Sequence, residues 1–88
     1  MAKPVYVIDG RSFSDWKGLI EEFNRVLIRP NTGEWNGNLD AFYDYLYWPN
    51  HEYTLVWLHS DLSRRQIDQF ESLVRVIREE PKVELRLE

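Results

Sequence analysis

Residues 5–8 (VYVI) are a short β-branched and aromatic run closed by Asp9-Gly10, which predicts a first strand ending in a turn. Trp16, Leu19, Ile20, Phe23 and Leu27 then recur at helical spacing, and Ser14 is the expected N-cap with Ser12 as the competing one. Gly18 within this stretch costs about 1 kcal/mol relative to alanine. Pro30, followed by Asn31-Thr32-Gly33, is expected to end the helix and open a loop that reaches Gly37. Asn38 predicts the cap of a second helix over residues 39–47, stopped by Trp48-Pro49-Asn50, with Leu39, Phe42, Tyr43 and Leu46 as its core stripe. Residues 53–59 (YTLVWLH) are almost continuously apolar, the pattern of a central strand in a parallel sheet. From Leu62 onward Ile67, Phe70, Leu73, Val74 and Ile77 supply the stripe of a main helix or helix pair, which Pro81 stops. Val83, Leu85 and Leu87 alternate with Glu84, Arg86 and Glu88, a last strand with one wet face.

Strands separated by helices predict an α/β domain, a small three-stranded parallel sheet with three or four helices packed mainly on one side. A chain of 88 residues has room for one such unit, so residues 1–88 read as a single domain. The longest apolar runs fall far short of the ~20 residues that span a bilayer. With no charged-then-apolar leader at the amino terminus, a soluble, unexported, cytoplasmic protein without membrane partners is expected.

Charge is unevenly spread along the chain. The net value is only -4, from 11 basic and 15 acidic residues, but no Lys or Arg occurs between residues 31 and 63. That stretch holds Glu34, Asp40, Asp44, Glu52 and Asp61, while the rest of the chain is nearly neutral at +1. Asp40 and Asp44, four residues apart on the second helix, share one face, and like charges at that spacing repel by a few tenths of a kcal/mol. Asp40 has a local reason to be there, because the helix dipole favours an anion in the first turn. Asp44 has none, and points beside Tyr47 and Trp48, which makes it the leading functional candidate.

The four tryptophans divide in the same way. Trp16 and Trp57 fall on apolar faces and are expected in the core, whereas Trp35, Tyr47 and Trp48 flank the acidic helix at loop or border positions. Aromatic side chains that exclude water from charged contacts are the makeup of an interface hot spot. On the last helix the apolar stripe centres on Phe70 and Ile77, so Val76 and Glu79 are expected to point away from it.

The absence of cysteine excludes disulfide scaffolds, thiolate zinc sites and a Cys nucleophile, and the acidic balance argues against nucleic acid and for a basic protein partner. The best catalytic alternative is His59-Ser60-Asp61 at the carboxyl end of the central strand, with Asp9 nearby. Against it, the chain carries no nucleophile elbow, P-loop or dinucleotide fingerprint. His51 and His59 lack the companion ligands of a zinc site, no EF-hand loop is present, and the Asp40/Asp44 pair has too little cleft for a glycosidase. Neither a cofactor nor a metal is expected.

The stretch Asn38-Leu39-Asp40-Ala41-Phe42-Tyr43-Asp44 resembles the signature helix of the barstar family, small intracellular inhibitors of secreted microbial ribonucleases. The resemblance extends to Ile8-Asp9-Gly10, to Ser14-Asp15, and to Ser72-Leu73-Val74-Arg75-Val76-Ile77-Arg78-Glu79, and so covers most of the chain. It implies a parallel sheet in the order 1-2-3 and a non-enzymatic monomer that plugs a basic ribonuclease active site in a one-to-one complex, its carboxylates standing in for RNA phosphates. Asp44 matches the aspartate that enters the phosphate pocket, Asp40 a second acidic contact, and Tyr43 an interfacial tryptophan of relatives. Val76 and Glu79 match the contacts from the last helix. The loop before the signature helix departs from the pattern, reading Glu34-Trp35-Asn36-Gly37 where relatives place a tyrosine pair and glycine. That loop normally touches the partner, so Glu34, Trp35 and Asn38 join the expected contacts. The departure leaves open a different ribonuclease, or another basic toxin met by an immunity or regulatory module.

Overall fold

The computed structural model describes residues 3–88. Three parallel strands, β1 (Val5–Asp9), β2 (Tyr53–Leu58) and β3 (Val83–Leu87), form one open sheet in the order 1-2-3. The expected α/β architecture is therefore present. Register pairs Val7 with Val56 and Val56 with Arg86, so alternation places Tyr6, Ile8, Tyr53, Leu55, Trp57 and Leu85 on one face. That face is buried under the helices, in a single cluster with Leu19, Phe23, Phe42, Leu46, Phe70, Leu73 and Ile77. On the opposite face Thr54 and Val56 are only 6% and 9% exposed because strands flank them on both sides, while Val5 and Val7 on the edge are 60% and 42% exposed. Shielding on both faces of the central strand is the reason its sequence reads as a continuous apolar run.

The helices differ from expectation in three places. Helix α1 (Trp16–Phe23) is capped by Asp15, whose carboxylate accepts the Gly18 N–H at 2.8 Å. Ser14 and Ser12 lie too far upstream of the first helical residue to reach that amide. Gly18 has a packing reason: a Cβ there would stand 2.8 Å from the Cβ of buried Phe13. Second, the helix does not stop at Pro30 but passes through a π-helical turn (Asn24–Ile28) into a last turn, α2 (Arg29–Asn31). The Arg29 N–H bonds five residues back to the Asn24 carbonyl, resetting the register so that Pro30 falls among the first positions of a new turn, where its missing N–H leaves no gap.

Third, the carboxyl-terminal helical region takes the expected form of a pair, α4 (Ser60–Gln66) and α5 (Phe70–Glu79), but starts at Ser60 rather than Leu62. They are separated by Ile67, which turns extended and buries its side chain. Helix α3 (Leu39–Tyr47) keeps its expected bounds and cap, with the Asn38 side chain accepting the N–H groups of Asp40 and Ala41 at 2.8 and 3.4 Å. Among the described residues no helix is long and apolar enough to cross a membrane.

Candidate functional site

Helix α3 buries Phe42 and Leu46 completely and turns the opposite side outward. Asp40 and Asp44 are exposed on that side, with Tyr43 at 39% and Tyr47 at 55% exposure. Trp48, the C-cap, is 60% exposed. Two parallel stripes result, one of carboxylates (40, 44) and one of aromatic rings (43, 47), each at one-turn spacing and meeting at the indole. Tyr43 therefore belongs to the outer face rather than to the core stripe: the buried edge of α3 is filled by Phe42 and Leu46, and Leu39 is itself only half-buried.

The carboxylates on this face are uncompensated. Ion pairs elsewhere take up Lys3, Arg11, Arg25, Arg29, Arg64, Arg65 and Arg86, but among the described residues none involves Asp40, Asp44 or Glu79. Glu79 is exposed on α5, the helix packed beside α3, with Arg75 and Arg78 lining the same groove. The negative charge is thus concentrated on α3. Val76 does not point freely outward as its position in the stripe implied. It is half-buried, because its inner side packs against the core.

The loop before α3 is where the sequence misleads most. Trp35, expected at the border and matched to a partner contact, is 1% exposed. Its ring packs on Phe42 at 4.4 Å between centroids and meets Trp16 edge-on at 5.6 Å. Its backbone N–H donates to Asn24 Oδ1 at 2.8 Å, Asn24 Nδ2 donates back to the Trp35 carbonyl at 2.9 Å, and Trp35 Nε1 donates to the Asn38 carbonyl at 2.8 Å. Loop and cap are thereby locked to α1 from beneath, and Trp35 supports the face instead of presenting itself on it. Trp16, expected in the core, is displaced to a half-buried place at its edge.

Glu34 is exposed, but its carboxylate is engaged by Arg29, which also bonds Glu21. The guanidinium holds the Glu34 pKa below the ordinary carboxylate value. The Tyr45 hydroxyl donates to the Glu34 carbonyl at 2.7 Å, a second tie between loop and helix. Gly37 sits at φ +95°, a backbone conformation that L side chains rarely adopt, which is the reason glycine stands there. Asn24, Tyr45 and the structural part of Trp35 escaped sequence reasoning. Asn24, a polar side chain with Ile20, Leu27 and Ile28 three and four residues away at helical spacing, was the one available signal.

The segments that carry Asp9 and His59 adjoin at the carboxyl ends of β1 and β2, but the Asp9 carboxylate is engaged by Arg11. Asp9 accepts the Arg11 N–H at 2.9 Å and pairs with its guanidinium, contacts that hold its pKa below the ordinary value. His59 is exposed in a left-handed conformation, φ 54°. Among the described residues no hydrogen bond joins His59, Asp61 and Asp9.

Fold and face together define a small open-sheet α/β protein with a rigidly seated helix that carries exposed acidic and aromatic side chains. A family-wide sequence model described as Barstar (barnase inhibitor) matches residues 3–85, nearly the whole chain, and the chain belongs to the barstar family, a family of inhibitors. A search of curated proteins finds no match to it.

Proposed function

We propose that this single domain is a cytoplasmic inhibitor of a basic microbial ribonuclease, blocking the active site by occupation and without chemistry of its own. The observation that carries the reading is the pair of exposed carboxylates at one-turn spacing on α3, unpaired among the described residues and bordered by Tyr43, Tyr47 and Trp48. Asp44 and Asp40 accept charge-assisted hydrogen bonds from the Arg, Lys or His groups that otherwise hold RNA phosphates. The aromatic border excludes water from those contacts. Val76 and Glu79 extend the contact from α5, and Asn38 and Glu34 lie along its loop edge. A face of one sign also raises the association rate at low salt, which suits an antidote that must act before its target does damage.

The test is titration into a panel of basic ribonucleases, barnase among them, with residual RNA cleavage and calorimetric stoichiometry as readouts. Stoichiometric one-to-one inhibition that weakens with added salt is expected. Lack of binding to every member would refute the reading and favour an immunity or regulatory module for another basic partner.

A further inference from the structure

We propose that Lys82 is a positioning residue of the binding face. From the approach to β3 it clamps the turn that follows α3, so that Trp48 is presented as a preordered apolar anchor for an uncharged ledge beside the partner's basic pocket. This rests on the reading of α3 as the inhibitory face.

A helix ends with carbonyls that have no partner within the helix. At the end of α3 these are met from outside: Tyr53 Oη donates to the Leu46 carbonyl at 2.8 Å, and Lys82 Nζ donates to the carbonyls of Tyr47 and Pro49 at 3.1 and 3.4 Å. The same ammonium lies 4.0 Å from the centroid of the Tyr47 ring, a cation–π contact that adds to its favourable place at the negative end of the helix dipole. The lysine's own backbone is tethered, its N–H donating at 3.1 Å to Oε1 of Glu80, which is 3% exposed. Backbone on both sides of Trp48 is therefore tied to the strand layer, 33 to 35 residues away in sequence.

The indole between these ties is left largely in solvent at 60% exposure, its ring neighbour being Tyr45 at 6.3 Å. An apolar group held still yet uncovered loses little freedom when a partner covers it. The clamp also sorts charge along the face. Asp40 and Asp44 keep their negative end uncompensated, whereas the Tyr47–Trp48 end carries a cation, so the complementary partner is basic opposite the carboxylates and neutral and apolar opposite the indole.

Three variants test this: Lys82→Met, which keeps length and loses charge and donors; Lys82→Arg, which restores both; and Asp44→Ala as a control on the inhibitor reading. In the free protein, the heteronuclear NOE of the Trp48 indole should fall in Lys82→Met and return in Lys82→Arg. An unchanged indole in Lys82→Met overturns the clamp, whatever the protein binds. Against barnase, or whichever panel ribonuclease binds, Lys82→Met should weaken affinity about three- to tenfold, with Lys82→Arg near wild type. If Asp44→Ala weakens binding while Lys82→Met stays within twofold, the anchor role is overturned and the inhibitor reading survives. If neither variant matters, or no ribonuclease binds, the inhibitor reading itself fails and the anchor role with it.

Discussion

Replacing Asp44 by alanine separates stability from binding more cleanly than any other single change in this chain. In the free protein Asp44 is exposed, pairs with no cation among the described residues, and faces Asp40 one turn away. Removing it relieves a like-charge pair worth ~0.2–0.5 kcal/mol and puts a stronger helix former in mid-helix, worth up to ~0.7 kcal/mol. In a domain of this size each kcal/mol moves the melting temperature by roughly 4–8 °C, so a rise of a few degrees is expected. In the complex the sign reverses. Truncating one partner of a desolvated, hydrogen-bonded charge pair costs about 2–5 kcal/mol, a general range that itself draws on a barstar complex. At ~1.4 kcal/mol per decade this is a loss of roughly 30- to several thousand-fold in affinity. The assay is competitive inhibition of RNA cleavage by the responsive ribonuclease, beside calorimetric melting of the free variant. A variant that melts at or above wild type and still inhibits within threefold would refute the assignment of Asp44.

Four further outcomes follow from particular contacts. Trp35→Ala should lose about 3–5 kcal/mol of stability by urea titration, the cost of emptying a buried aromatic site, whereas Trp48→Ala should stay within ~0.5 kcal/mol of wild type and lose affinity instead. Gly37→Ala should be destabilised by roughly 1–3 kcal/mol in the same titration, because the left-handed backbone strains any residue with a Cβ. Glu34 has a depressed pKa through Arg29, so its contribution to stability is present above the ordinary carboxylate value and is lost as pH falls through the lowered one. Melting curves of wild type and Glu34→Gln, apart at neutral pH, should converge in acid, and by a small amount since the pair is exposed and screened. His59→Gly should raise stability by up to ~1 kcal/mol, by relieving the left-handed conformation, with inhibition unchanged; lost function there would revive the catalytic alternative.

Local period and local chemistry made most of the elements legible, though not the Asp15 cap of α1 or the passage of its helix through Pro30. The strands were legible because β-branched runs and alternation survive whatever packs on them, and the central one because burial on both faces leaves Thr54 as the one small polar side chain in an otherwise apolar run over residues 53–58. The Asn38 cap and the shared face of Asp40 and Asp44 were legible because helix geometry alone fixes them. Which aromatic rings are used inside depends on packing between segments distant in sequence. Trp35 and Trp48 look alike in sequence, each in a loop or border position beside the acidic helix. Yet one is held by Asn24 and stacked on Phe42, and the other is left out in solvent. Glu34 was likewise a free acid in the sequence and is a paired one in the fold, because the helix carrying Arg29 runs on through Pro30 and delivers the guanidinium to it. Lys82 gave no signal at all, since its partners lie 33 and 35 residues upstream and are backbone carbonyls, which every residue possesses. Contacts to backbone across the chain leave no mark in residue types, so the charged stripe was readable from the sequence and the clamp that sets its aromatic end was not.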